Sequence, residues 1–184
     1  MRIVGGSFRG RRLAALGKGD AGAHLRPTSD RVRESLFSML EGGRFGNPIE
    51  GAVVLDLFAG TGALGLEALS RGAASVTFVD DGRVAQKLLS ENITTLGVKD
   101  VTKVIRTSAL RLPEATGSAG LVFLDPPYGK DLGAKALSTA KAQGWIADGA
   151  LIVWEERGPQ EAPDGFDLLE HKSYGDTVVT LLRG

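Results

Sequence analysis

Four consecutive residues, Asp125-Pro126-Pro127-Tyr128, follow an apolar run at Gly120–Leu124 and could carry out a specific chemistry. A carboxylate and a nearby backbone carbonyl can accept both N–H bonds of an exocyclic amino group on a base. Such an amine is a poor nucleophile, because its lone pair is delocalised into the ring. Fixing its orientation toward an electrophile is therefore the main task of a catalyst. Pro126 and Pro127 lack N–H donors, stiffen the turn and present carbonyls. Tyr128 offers a ring on which a base can stack, an interaction worth about 1–3 kcal/mol. No strong general base is needed, since the nitrogen becomes acidic as it gains a substituent. A base inside folded RNA or a duplex would first have to be splayed out.

A second cluster, Asp56-Leu57-Phe58-Ala59-Gly60-Thr61-Gly62-Ala63-Leu64-Gly65, has the spacing Gly-x-Gly-x-x-Gly at the end of an apolar strand run. Glycines there let the backbone turn tightly and approach a ligand closely. A dinucleotide could use such a loop, but the Asp56 carboxylate would serve a pyrophosphate poorly. A cationic, methionine-like ligand would be well served. Asp80 ends the next apolar run, 24 residues after Asp56, near the separation of about 20 residues at which an acid accepts ribose hydroxyls. Asp81 is adjacent and could take that role instead. A third strand end at Arg106–Leu110 should reach an adenine, with Ser108 where a carboxylate often stands. The cofactor candidates are thus Asp56, Phe58, Gly60, Gly62, Asp80 and Ser108. They point to S-adenosylmethionine, whose sulfonium carries the methyl group the amine would attack.

The elements that position these loops alternate. Strands are expected at Ala52–Leu57, Ser75–Asp80, Val101–Arg106, Gly120–Leu124 and Ala150–Glu155, and helices at Gly62–Arg71, Arg83–Leu96 and Asp131–Gly144. Apolar strands alternating with helices imply a parallel sheet covered on both faces. Phe166–His171 and Thr177–Leu182, joined through Tyr174-Gly175-Asp176, are too close for a helical crossover and imply an antiparallel pair at one edge. Upstream, Pro27-Thr28-Ser29-Asp30 caps a helix over 28–41 whose apolar stripe is Val32, Leu36, Met39 and Leu40. Gly42-Gly43 stops it. Arg31 and Arg33 lie off that stripe and are expected to face a ligand. The first 26 residues, rich in Gly and Arg, read as a small hairpin or arm.

The chain of 184 residues suits one domain with a sizeable core. Its formal charge of zero conceals an asymmetry: residues 1–40 hold eight Lys/Arg against three Asp/Glu, and residues 41–184 hold fourteen against nineteen. A basic arm on an acidic body suggests a polyanion partner. Arg9, Arg11, Arg12, Arg26, Arg31 and Arg33 are the expected contacts. The division expected is a basic arm and helix at 1–41 and a catalytic domain at 42–184, forming a single compact unit. With no cysteine and isolated His24 and His171, thiolate and histidine-rich metal sites are not expected. There is no run of eighteen apolar residues and no apolar signal-type start, so a cytoplasmic protein without a membrane partner is expected.

The motifs as a set resemble the RsmD-type family of bacterial 16S ribosomal RNA guanine-N2 methyltransferases. The likeness covers Arg2 to Leu13, Arg26 to Phe37, Asp56 to Ala68, Asp125 to Tyr128 and Tyr174 to Thr177. It implies a Rossmann-like class I methyltransferase fold with a seven-stranded sheet of order 3-2-1-4-5-7-6. It also implies methylation of a guanine N2 in 16S rRNA on an assembling 30S particle; a monomer is expected. Asp56, Gly60, Gly62 and Asp80 would hold the cofactor, and Asp125, Pro126 and Tyr128 would catalyse. Asp80-Asp81-Gly82-Arg83 and Ser108 depart from the family's usual residues. Three alternatives stand beside this reading: a DNA adenine-N6 methyltransferase, which usually needs more chain than the 56 residues after Tyr128, a protein or small-molecule amino methyltransferase, and a non-catalytic RNA-binding protein.

Overall fold

A computed structural model describes residues 1–16 and 28–184. Arg26 and His24 lie outside the described residues. The elements are α1 (Asp30–Glu41), β1 (Val53–Leu57), α2 (Ala63–Ser70), β2 (Ser75–Val79), α3 (Arg83–Leu96), β3 (Thr102–Ile105), β4 (Ala119–Leu124), α4 (Leu132–Ala142), β5 (Ile146–Glu156), β6 (Asp167–Tyr174) and β7 (Thr177–Arg183). The strands form one sheet in the order β3-β2-β1-β4-β5-β7-β6. β1 to β5 run parallel, and β7 runs antiparallel between β5 and β6. This is the order and the antiparallel edge pair expected from the sequence.

Side chains alternate between the sheet's faces because successive Cβ atoms in a strand point opposite ways. Val54, Phe78 and Phe123 pack on one side with α1, α2 and α3. Leu55, Val79 and Val122 pack on the other with α4. The chain moves outward from β1 through α2 and α3, then returns to start β4 on β1's other flank. The β1–β4 boundary is therefore the topological switch point, where open α/β sheets bind their ligands.

β5 is longer than its expected span of Ala150–Glu155. Its register against β4 jumps from Ala119↔Ile146 to Leu121↔Leu151. Gly149, at φ +76°, takes the left-handed turn this excursion requires, and that polar interruption hides the strand's first half from an apolar count.

The N-terminal arm is a hairpin: Arg2 bridges Arg12, Ile3 N–H donates to Arg11 O at 2.9 Å, and Gly10 N–H donates to Ile3 O at 2.8 Å. It is not loosely attached. Ile3 and Leu13 share one hydrophobic core with Leu36, Phe37 and the sheet. The Glu67 carboxylate accepts from Val4 N and Gly5 N at 3.0 and 2.8 Å, and Ser7 N–H donates to Ser70 O at 2.7 Å. A Cβ on Gly6, at φ +72°, would lie 1.8 Å from Ser70 O. Gly6 thus serves a close approach between hairpin and helix, and not conformational freedom toward a partner.

α1 corrects the expected stripe. Its buried residues are Arg33, Leu36, Phe37 and Leu40, the i, i+3, i+4, i+7 face of one helix. Arg33, expected to face a ligand, is instead fully buried. Its guanidinium donates to Thr28 O at 3.2 Å, to Arg2 O and to Asp30 Oδ1 at 2.9 Å. Its Nε lies 3.5 Å from Glu67 Oε2, within ion-pair range though not aligned as a hydrogen bond. Arg71 closes the network through Glu67 at 2.9 Å and Glu41 at 2.7 Å.

Candidate active site

The two motifs meet at the switch point. Leu57 and Leu124 are register partners at the ends of β1 and β4, and Asp125 N–H donates to Leu57 O at 3.4 Å. The loop that begins at Asp125 therefore starts beside the glycine loop that begins at Phe58. Phe58 is left-handed at φ +58°, a conformation a bulky residue adopts only when its surroundings enforce it. Ala59 N–H bonds Val79 O at 3.0 Å and Gly62 N–H bonds Ala59 O at 2.7 Å, so the turn is closed onto the neighbouring strand end.

Of the three motif glycines, two face protein. A Cβ on Gly62 would sit 2.4 Å from Leu89 Cδ1, and one on Gly65 would sit 2.5 Å from Phe78 Cε1. They allow α2 to lie close against the sheet and α3, whereas the expectation was close approach to a ligand.

The two strand-end acids differ. Asp56 is buried, and its Oδ2 accepts from Gly65 N at 2.9 Å. Burial pushes its pKa up to about 8; the Gly65 hydrogen bond pulls it back, and the nearby Asp80 charge raises it further. Asp56 thus ties the first turn of α2 to β1, in surroundings that favour its protonated form. Asp80 is half-buried and bridges two loops: Oδ2 accepts from Gly60 N at 2.9 Å and Oδ1 from Gly82 N at 2.8 Å. Burial raises its pKa most, those two N–H groups lower it, and the Asp81 charge raises it. Asp81 is exposed. Ser108 Oγ accepts from Leu110 N at 3.2 Å, shaping the turn after β3.

At the β4 end, Pro126 is buried, and Asp125, Pro127 and Tyr128 are half-buried. The Tyr128 hydroxyl donates to Glu155 Oε1 at 3.2 Å, and Thr28 Oγ1 donates to Glu155 Oε2 at 2.8 Å. Burial pushes the phenol up to about 12; Thr177 is also its hydrogen-bond partner, and the Glu155 and Asp125 charges add to the rise. Tyr128 is therefore neutral at physiological pH and held by its hydroxyl. The Arg157 guanidinium lies 6.0 Å from the ring centroid, at the outer limit of cation–π contact.

Three residues escaped sequence reasoning. Glu155, next to last in β5, is a buried carboxylate beside Tyr128; the charged Glu155-Glu156-Arg157 closing an apolar strand was the available signal. Asn92 is fully buried, accepts from Ala14 N at 2.6 Å, and donates to Ala14 O and Thr61 O at 3.1 and 2.9 Å. It couples α3, the hairpin's end and the glycine loop. Glu67, in an otherwise apolar helix, anchors the hairpin as described. Of the expected RNA contacts, Arg9, Arg11, Arg12 and Arg31 are exposed, whereas Arg33 is not.

A glycine loop after β1, an acid after β2 and Asp-Pro-Pro-Tyr after β4, on a sheet of order 3-2-1-4-5-7-6, define a class I methyltransferase. The chain belongs to the family described as Conserved hypothetical protein 95, which matches residues 1–183. It is 37% identical over 187 residues to Ribosomal RNA small subunit methyltransferase D of Escherichia coli K12, covering 100% of this chain and 89% of that one. The protein of the same name in Haemophilus influenzae is 36% identical over 181 residues, covering 95% and 89%. A solved Escherichia coli structure superposes with a TM-score of 0.81 at 37% identity, covering 100% of this chain and 97% of the other.

Proposed function

We propose that this methyltransferase uses S-adenosylmethionine to methylate the exocyclic N2 amine of a guanine in 16S rRNA, carried on a 30S particle. The observation that supports it most is the Asp125–Leu57 backbone contact, which sets an amine-orienting loop beside a cofactor loop. S-adenosylmethionine, when bound, supplies an electrophilic methyl group on a sulfonium. The residues fit it. A carboxylate has about four acceptor positions, and Asp80 uses one on each oxygen for Gly60 and Gly82. Each oxygen thus keeps capacity for one hydroxyl of a ribose diol, without disturbing the loop it already holds. Asp81 has no such bridging position. Asp56, Gly62 and Gly65 act one step back, holding the loop and α2 in place.

At the other end, Asp125 accepts the N–H bonds of the target amine, with a carbonyl of the Pro126-Pro127 turn as second acceptor. Tyr128 supplies the stacking face, fixed by its bond to Glu155. Arg9, Arg11, Arg12 and Arg31 supply phosphate contacts, because guanidinium donors match two phosphate oxygens at once. Arg33 has no part in this, being enclosed. The names of the Escherichia coli and Haemophilus influenzae relatives support ribosomal RNA of the small subunit as substrate.

The test is incorporation of labelled methyl from S-adenosylmethionine. 30S particles from cells lacking this protein are compared with ribosomal-protein fractions and adenine-containing duplex DNA. Label in 16S rRNA is expected; label in DNA would transfer the assignment to an adenine methyltransferase. No incorporation, with no cofactor binding by calorimetry, would favour a non-catalytic protein.

A further inference from the structure

The outer face of α3 carries an open groove of about 600 Å³ that neither the core nor the methyl-transfer loops use. Its buried stripe is Ala85, Leu89, Asn92, Ile93 and Leu96. The opposite stripe, at i, i+4, i+8 and i+12, is Arg83, Lys87, Glu91 and Thr95, and these line the groove together with Arg106 from the end of β3. Three cations thus face one acid. At the groove's far end Arg11 Nη1 donates to Thr95 O at 3.3 Å, which sets a fourth cation, the third guanidinium, on its rim. Among the described residues, no ion pair engages Arg83, Lys87 or Arg106.

We infer that this groove binds the ribose-phosphate backbone of the RNA substrate, away from the target base. The inference rests on the reading that the substrate is RNA. The arginines of the hairpin would then be one end of a track that continues along α3 toward the cofactor end of the sheet. Length favours a polymer over a small anion: fourteen helical residues span about 20 Å at about 1.5 Å each. Composition favours phosphate over base readout. Besides the Glu91 carboxylate and the Gln86 amide, which donates to Asp80 O, the groove is lined by guanidinium, ammonium and hydroxyl groups, and no aromatic ring among its lining residues offers a base a stacking face. Contacts of this kind position nucleic acid without reading its sequence.

The test is binding of the full-length protein to 30S particles from cells lacking it, measured across salt concentrations. Each phosphate contact on a single strand contributes about 0.7 to the slope of log K against log salt. Lys87→Glu with Arg106→Glu should therefore lower the slope by about 1.4 and weaken binding by about twentyfold at 0.1 M salt. Glu91→Lys should do the reverse and tighten binding. The control is Lys135→Glu with Lys172→Glu, which makes the same charge change at exposed positions on α4 and β6 and should leave the slope near wild type. An unchanged slope in the groove variant, or an equal fall in the control, overturns the proposal. Methyl incorporation by the wild-type protein separates this from the wider reading. Incorporation with an unaltered groove-variant slope removes the groove alone, and neither incorporation nor binding removes both.

Discussion

The interlock between the N-terminal hairpin, α1 and α2 and the loops at the carboxyl end of the sheet are built from similar residues, and they do opposite things. Both combine glycines with charged side chains. In the interlock, Arg33, Glu67, Arg71, Asp30 and Glu41 face one another, and the hairpin's N–H groups fill the Glu67 carboxylate. Those charges are committed to one another and to the backbone, and the region is structural. At the strand ends, Asp80 holds two loops yet keeps acceptor capacity at a half-exposed position, and Asp125 opens the loop beside it. On the proposed reading, what separates the scaffold charges from Asp80 is how far their partners fill them, which residue type alone does not reveal.

The comparison breaks most visibly at Arg33. Removing one partner of a buried ion pair leaves the other uncompensated, so Arg33→Ala should destabilise the fold by about 3–5 kcal/mol. Denaturant unfolding reads this, and a stable variant with weakened RNA binding would return Arg33 to the partner-facing list. Asp125→Ala should do the converse: turnover should fall by about 10²-fold or more, equivalent to about 2.7 kcal/mol, with cofactor affinity and melting temperature near wild type. Near-normal turnover would remove Asp125 from the mechanism. Asp80→Ala should weaken cofactor binding by about 1.5–3 kcal/mol by calorimetry, the range for hydrogen bonds to a charged group. A larger loss in Asp81→Ala would reassign the ribose contact.

The smallest effect sharpens the contrast between Asp56 and Asp80. The pKa of Asp56 is raised in the fold from 3.8 to about 8, so the folded state holds its proton more tightly than the unfolded chain does. Its contribution to stability is fully present below about pH 4 and is lost as pH rises through about 8. Asp56→Asn keeps an oxygen acceptor for Gly65 N–H and cannot ionise. The melting-temperature difference between variant and wild type should move in the variant's favour from pH 4 to pH 8. A difference independent of pH would mean that Asp56 is already ionised across this range.

Much of this was legible in the sequence because the signals are local. Strand–helix alternation and the short Tyr174–Thr177 connection carried the parallel sheet and its antiparallel edge pair, while the strand order came from the family resemblance. Asp125-Pro126-Pro127-Tyr128 and the glycine loop carried the chemistry. What stayed hidden depends on distant partners. Arg33 lies off the stripe drawn through Val32, Leu36, Met39 and Leu40, yet it shares the buried face of Leu36, Phe37 and Leu40, and its partner Glu67 lies on another helix. Gly62 and Gly65 look like ligand-facing glycines until Leu89 and Phe78 are seen against them. Glu155 acquires meaning only when β5 brings it to Tyr128 and Thr28.

The central claim is that the Asp125 loop presents an exocyclic amine to the methyl donor. The most direct measurement digests 16S rRNA methylated by the purified protein and identifies the modified nucleoside by mass spectrometry. A single methyl on the exocyclic nitrogen of guanine is predicted. A methyl on a ring nitrogen, a ring carbon or a ribose oxygen would contradict the account, because none of those atoms offers the two N–H bonds that Asp125 and the proline carbonyl are placed to accept.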